Sequence, residues 1–562
     1  MNKKLLAAIT SLLFIGSACT TLNEEILDES HKSKQSDQEA ADGTIAPVYA
    51  LLPEIYKHTN YFAIQEISTD EAILPYRGGT DWGDNGIYIA MHQHTHTSTD
   101  PNLKSTWDNL VQSVSRSITA INTLPTLKSE SVPVYLAEAR GMRAFYNMLL
   151  LDLFGVAFVK DDLGKTSTIL RGNDAVKYIE TEFLAVEPNL QARATVGSGR
   201  LTKAAVWGLL ARLYLNAQVY RDRYATSVSF PADDMDKVIS YCDKIISSGL
   251  YQLSPDYFAI FGNNNHDNSE LIFAVDQRPN LNGHNRLAYF SLSGDQFPLA
   301  AFPAANGTDG PGITSDFYRT WTQAYGTDDP KKDPRFYQEN MTVYSNTADT
   351  CVADKDYKIN RGILRGQQYG AIRVNGVFLR CPDGRLKVGK LTNATRNRAD
   401  LAVNFTETID FTTAGSNYST GYRVEKYEFS SSSNTGRNNG EADISIVRLA
   451  DIYLMRAEAK LRKNNDAAAA LADVNAVRAA RTKTTPPPAL TSMTLDLLFR
   501  ERGFEFYWEM LRRTDMVRFG KYEGVWTEKN NTDPKKRIFP IPQTTIDGSS
   551  NLPGYLVQNP GY

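Results

Sequence analysis

Residues 443–464 read DISIVRLADIYLMRAEAKLRKN and residues 466–483 read DAAAALADVNAVRAARTK; after a proline-rich break, residues 495–520 read LDLLFRERGFEFYWEMLRRTDMVRFG. In the first stretch the apolar positions Val447, Ala450, Tyr453, Leu454, Ala457 and Leu461 recur at helical spacing. Ala470, Val474 and Val477 continue the pattern in the second. Asp466 stands where an N-cap belongs, because its carboxylate can accept a free first-turn N–H. Small alanines on both segments let two backbones approach closely. The spacing predicts an antiparallel helical hairpin of about 34 residues, the size of a tetratricopeptide unit. Pro486, Pro487 and Pro488 end its second helix, since proline lacks the donor and clashes with the preceding turn.

Outward from this hairpin, similar helices are expected nearer the N-terminus. They cover residues 38–56; residues 103–124, with Trp107, Leu110, Val114, Ile118 and Ile121 on one face; residues 138–155, with Ala144, Met148 and Leu151 spaced for burial; and residues 174–190. Residues 201–220 pair with residues 233–248. About four helix–loop–helix units result, three early and one late. Repeats that bury their faces only by stacking must meet in space, so the segment between them has to loop out and return. That segment, residues 251–440, is dense in Gly, Asn, Asp and Ser, with short β-like runs at 271–275 and 422–429. It reads as an irregular, loop-rich subdomain carried on the helices. After Lys521 the tail is expected to be mostly extended, its path fixed by Pro540 and Pro542.

Several blocks carry a family resemblance. Residues 448–451 (RLAD) through 455–459 (MRAEA) resemble the signature helix of the SusD/RagB family of nutrient-binding outer-membrane lipoproteins. Arg500, Glu501, Arg502, Glu505, Glu509, Arg512, Arg513, Asp515, Val517 and Arg518 resemble the family's next block, and residues 539–542 (FPIP) and 558–562 (QNPGY) its C-terminal signature. The resemblance implies a mainly α fold: a tetratricopeptide-like helical hairpin scaffold with a loop-rich, partly β irregular subdomain. It implies a cell-surface protein that captures a glycan and passes it to a SusC-like TonB-dependent outer-membrane transporter. An oligosaccharide is the expected ligand because most of the family serves glycan uptake. Two alternatives stand: a peptide binder of the RagB kind, and a tetratricopeptide scaffold without a small ligand. The expected organisation is a leader at 1–18, an anchor and tether at 19–37, an N-terminal helical part at 38–250, the ligand-binding loops at 251–440 and a C-terminal part at 441–562.

A chain of 562 residues exceeds the usual size of one hydrophobic core, so a large or composite domain is expected. Net charge is −3, and removing Lys3 and Lys4 with the leader lowers it to −5, which gives no support for a nucleic-acid partner. Lys3 and Lys4 form a basic n-region, residues 5–15 an apolar run too short to span a bilayer, and Gly16, Ser17 and Ala18 a small-residue site before Cys19. This reads as a lipoprotein signal, with Cys19 acylated as the mature N-terminus and the protein held on the outer membrane at the cell surface. Gly16 departs from the Leu, Val or Ile usual three positions before the cysteine, and an ordinary secretory signal is the alternative. Asn23, Glu24, Glu25, Asp28 and Glu29 resemble the acidic export signal of surface lipoproteins and equally suit a solvated tether. Cys242 reads as a small buried hydrophobe. Cys351 and Cys381 lie in the loop-rich half, and a disulfide between them is open in an exported compartment.

Residues 70–96, DEAILPYRGGTDWGDNGIYIAMHQHTH, hold the first candidate site. Tyr76, Arg77, Asp81, Trp82 and Asp84 are interleaved with glycines, so the loop can present them to solvent. A Trp ring covers the apolar face of a sugar while charged groups take its hydroxyls; the other reading is a structural Trp covering the first helical repeat. His92, His94 and His96 alternate as on one strand face, within reach of a metal, but a structural role is favoured and no metal or cofactor is expected. In the loop-rich half, Tyr289 and Asn306 are candidate ligand contacts, near Phe317, Tyr318 and Trp321. Asp328, Asp329 and Asp333 read as a solvated turn rather than a calcium site. Arg500, Glu501, Arg502 and Glu505 read as an ion-paired interior surface. No Gly-x-Ser-x-Gly, Walker loop or nucleophile triad is present, and no catalysis is expected.

Overall fold

A computed structural model describes residues 36–160, 163–278, 286–296, 306–340, 350–409, 411–413, 417–429 and 440–562. The leader, Cys19 and the tether to residue 35 lie outside the described residues. So do Phe302, Ala304 and Ala305, beside the candidate Asn306.

The scaffold is a stack of antiparallel helices: α1 (Asp37–Tyr49), α2 (Pro101–Thr123), α3 (Val132–Phe154), α4 (Gly172–Val186), α5 (Lys203–Arg221) and α6 (Ala232–Ser247), then, past α7 (Ser315–Tyr325), α8 (Leu449–Asn464) and α9 (Ala467–Ala479). Each helix packs on the next: α1 on α2, α2 on α3, α3 on α4, α4 on α5, α5 on α6, α6 on α8 and α8 on α9. The chain therefore leaves the stack after α6 and rejoins it at α8, as stacking required. Arg456 on α8 pairs with Asp243 on α6 at 2.6 Å and seals that junction. Asp466 caps α9 by accepting the Ala469 N–H at 3.0 Å. Ala450, Leu454, Ala457, Leu461, Ala470, Val474 and Val477 are all buried, forming one cluster with Met493, Leu498 and Phe506. Each buried Leu or Val contributes on the order of 1.5–3 kcal/mol. The last two of these lie on or end α10 (Leu495–Phe506), which leads to α11 (Arg512–Arg518).

Four local expectations need correction. Val447, read as helical, lies on a strand: Ile444–Arg448 pairs antiparallel with Leu271–Val275, Val275 facing Ile444. Both strands are fully buried, so their apolar side chains carry no two-fold alternation to separate them from a buried helix. Gly208 on α5 allows this strand close, since a Cβ there would lie 2.7 Å from Val447 Cγ1. The helix expected at 38–56 breaks after Tyr49 and resumes as Leu52–Ile55, with Pro53 in its first turn. The three histidines do not share a strand: His92 ends a short helix (Ile87–His92) and His94 has φ +56°. The C-terminal tail carries short helical turns at Pro534–Arg537 and Gln543–Gly548 among its extended stretches.

The excursion between α6 and α8 is a set of small antiparallel sheets, including Thr350–Val352, Leu386–Lys390 and Tyr369–Ala371 in one, and Tyr337–Gln338, Arg361–Leu364 and Arg423–Glu425 in another. Cys351 and Cys381 are joined in a disulfide, and Cys242 is a buried free thiol. The fold is mainly α, a tetratricopeptide-like scaffold bearing a loop-rich, partly β subdomain. Among the described residues no helix is long and apolar enough to cross a membrane.

Candidate ligand-binding face

The loop at 76–86 turns repeatedly through left-handed backbone: φ is positive at Gly78, Gly79, Gly83, Asn85 and Gly86, and also at Trp82 (+65°). For a bulky side chain that conformation costs about 1–2 kcal/mol and persists only where surroundings impose it. Three features impose it. Arg77 and Thr80 exchange backbone hydrogen bonds of 2.7 and 3.3 Å, closing a tight turn. Asp81 accepts the Gly83 N–H (3.1 Å) and Asp84 the Gly86 N–H (3.0 Å), two Asx turns that set the backbone on either side of Trp82. The Trp82 Nε1–H donates to the Thr308 carbonyl at 2.9 Å, and the ring meets Tyr88 and Phe290 edge-to-face. Trp82 is left half-buried, with Asp81, Asp84 and Tyr76 also partly exposed.

Arg77 is not presented to solvent. It is buried and donates to three carbonyls, Asp309 (3.0 Å), Gly310 (2.7 Å) and Thr420 (2.6 Å), bolting the loop to two distant segments. Tyr289 is fully buried against Phe429, so it supports the face from beneath. Asn306 is half-buried two residues before Thr308, and its Oδ1 has no hydrogen-bond partner among the described residues. The structure thus brings the Trp82 loop and the Asn306 segment together. Sequence reasoning missed two members. Tyr418 packs so closely on the loop that a Cβ at Gly78 would lie 2.2 Å from its ring. Arg396 stacks on that ring at 5.1 Å and pairs with Asp309 at 2.6 Å. Neither lies in a local motif, because their contacts span more than the length of any helix or hairpin. Burial raises the Asp84 carboxyl to about 6, with Asp81 adding to the rise, and Asp84 Oδ2 has no partner among the described residues.

Other polar clusters are spent on structure. His92 bonds the Ile67, Ala72 and Thr527 carbonyls, His94 the Ser68 carbonyl and His96 the Tyr562 hydroxyl, each buried. Burial lowers the pKa of all three, His96 to about 3, and their contacts brace the segments around them. Asp333 is buried in a pair with Arg335 (2.6 Å), leaving only Asp328 and Asp329 exposed in that turn. His266, Asp276 and Asp443 bring ligand atoms within 4.8 Å of one another, beside a cavity of about 700 Å³, but His266 pairs with Asp443 and Arg278 with Asp276.

The charged helices do form an ion-paired interior. Glu505 is held by Arg448 (2.8 Å), Arg481 (2.5 Å) and Arg335 (3.2 Å), and Glu458 by Arg518 and Arg462, both 2.7 Å. Arg502 joins Asp451 (3.0 Å) to Asp515 (2.7 Å), and Glu501 pairs with Arg335 (3.1 Å) and Arg478 (2.7 Å). Burial opposes charge at Glu458, yet Arg518 and Arg462 outweigh it and hold the carboxyl at about 2. Glu505 is held well below the carboxylate range in the same way by Arg481, Arg448 and Arg335.

The chain is 26% identical over 442 residues to the starch-binding protein SusD of Bacteroides thetaiotaomicron, covering 76% of this chain and 72% of that protein. Among solved structures, a laminarin-binding SusD-like protein superimposes with a TM-score of 0.65 at 17% identity, over 94% of this chain and all of the other. A surface glycan-binding protein A from Bacteroides thetaiotaomicron, in complex with laminarihexaose, superimposes with a TM-score of 0.61 at 19% identity, over 93% of this chain and 98% of the other. These likenesses establish a shared fold. The SusD family model matches residues 258–562, more than half of the sequence, and the chain belongs to the SusD family.

Proposed function

We propose that this protein is a cell-surface glycan-binding lipoprotein, anchored through acylated Cys19, that captures an oligosaccharide and hands it to a SusC-like TonB-dependent outer-membrane transporter. The observation that carries the reading is Trp82: a half-buried indole held at positive φ, its N–H already bonded to Thr308, so that only its ring is offered to a ligand. Stacking needs only that ring and is indifferent to the used donor. Tyr76, Asp81 and Asp84 share its loop and are partly exposed, and Tyr418 packs on that loop at Gly78; the carboxylates suit a sugar's hydroxyls. A face built before the ligand arrives loses little ordering entropy on binding, which suits capture and release. No bond is broken in this scheme. The relatives named for binding starch and laminarin support the ligand class.

The test is calorimetric titration of the protein lacking residues 1–19 against plant, bacterial and host oligosaccharides and a peptide digest. Saturable binding to a glycan class, lost in Trp82→Ala, is the expected result. Binding confined to peptides would replace this reading with a RagB-like one.

A further inference from the structure

Beyond Tyr418, the candidate face continues into a cleft of about 500 Å³. Its floor includes Ala371, Ile372 and Leu391; its rim carries Arg373, Lys390 and Thr395. The route is continuous in contacts. Trp82 bonds Thr308; the adjacent Asp309 pairs with Arg396, which lies on Tyr418; the adjacent Thr395 donates its N–H and O–H to Asp295, both at 2.9 Å. Thr395 and Asp295 line the cleft.

The charges along this route are unevenly used. Exposed arginines of the same subdomain are paired: Arg380 with Asp354 (2.7 Å), Arg385 with Asp383 (2.7 Å) and Arg398 with Asp400 (2.9 Å). Asp295, the one carboxylate lining the cleft among the described residues, is buried and already accepts two bonds from Thr395. Lys390, at the end of the Leu386–Lys390 strand, is exposed on the rim, and no carboxylate pairs with it among the described residues. Arg373, which already has a partner of its own, lies on the same rim. Thus the Trp82 end carries Asp81 and Asp84, suited to hydroxyls, and the far end carries a cationic rim over an apolar floor.

We propose that this cleft is a second subsite that takes the carboxylate or sulfate of an anionic sugar unit, in a glycan whose neutral ring lies on Trp82. The inference rests on the glycan reading above and names its substrate class. A carboxylate or sulfate would receive a charge-assisted hydrogen bond from Lys390, which a neutral sugar cannot match.

The experiment titrates the protein lacking residues 1–19 with oligogalacturonides, chondroitin sulfate oligosaccharides, neutral β-glucan and starch oligosaccharides of matched length, and oligoglutamate. It is repeated on Lys390→Gln and Trp82→Ala. Lys390 is exposed, so its variant is expected to keep the parent melting temperature. The expected result is tighter binding of one anionic glycan than of any neutral one, weakened about 10-fold by Lys390→Gln and weakened further between ~50 and ~500 mM NaCl. Preference for oligogalacturonide assigns a carboxylate, and preference for chondroitin sulfate a sulfate. Equal affinity for neutral and anionic glycans, or no effect of Lys390→Gln, overturns this inference while a loss in Trp82→Ala keeps the glycan reading. Binding of oligoglutamate alone, or of no glycan, overturns both.

Discussion

Around α8, α10 and α11, buried arginines and carboxylates pair with one another; around Trp82, Asp81 and Asp84 are held by backbone N–H groups instead. Glu505 has three arginine partners, and Arg448 in turn reaches Glu270, Glu505 and Glu509. Asp84 buries one oxygen without a partner among the described residues, and Trp82 stays half-buried. The dense ionisable residues around Glu505 are engaged with one another, whereas the sparser, glycine-rich loop leaves Asp81, Trp82 and Asp84 partly exposed. The two regions also solve different problems. The interior must lock a late hairpin onto an early stack, and buried charge pairs fix its register at the cost of desolvation. The face must hold a fixed shape without a ligand, which it does with backbone turns and one buried arginine, Arg77.

The largest effect that would break this contrast is in the interior. Glu505→Ala should cost roughly 3–5 kcal/mol, because it strands buried guanidiniums; a urea-unfolding midpoint within error of the parent would show that the layer is not what holds the hairpin. Trp82→Ala should do the reverse, abolishing or weakening glycan binding by at least about 10-fold with a smaller loss of stability. Loss of stability as large as that of Glu505→Ala would mean that Trp82 is a core residue in another guise.

A subtler version concerns Gly78. Alanine there must adopt φ near +61° and would collide with Tyr418, so Gly78→Ala should lose about 1 kcal/mol and displace Tyr418. Glycan affinity should fall with it, read by the same titration. Unchanged affinity would remove Tyr418 from the face.

The smallest effect is in pH dependence, where the two regions should have opposite signs. Glu458 is held below its unfolded value, so it contributes stability that is present above pH ~4.5 and lost as pH falls toward about 2. Asp84 is raised above its unfolded value, so its contribution is present below pH ~4 and lost as pH rises through about 6. Glu458→Gln should flatten the acid limb of the stability curve. Asp84→Asn should flatten the slope between pH ~4 and ~6, by less because Asp84 is partly exposed.

The helical stack was legible because its signal is local. Ala450, Leu454, Ala457 and Leu461 declare their helix by spacing alone, Asp466 its cap, and Pro486 its end. Legible too was the need for residues 251–440 to loop out, since repeats that bury their faces only by stacking have to meet in space. The strand at Ile444–Arg448 was not, because a fully buried strand lacks alternation. At the face, Trp82 and its glycine turns were readable as a presented loop. Arg77 was misjudged as exposed, since nothing near it in sequence announces that Asp309, Gly310 and Thr420 supply its acceptors. Tyr418 and Arg396 were invisible for the same reason: their partners are residues brought together only by the folded loops.

The most direct test of the central claim is a crystal structure of the protein with the oligosaccharide that binds it in solution. The account predicts a sugar ring stacked on Trp82 with Tyr418 alongside. A ligand bound instead in the cavity beside Arg200 and His266, with the Trp82 ring bare, would contradict it.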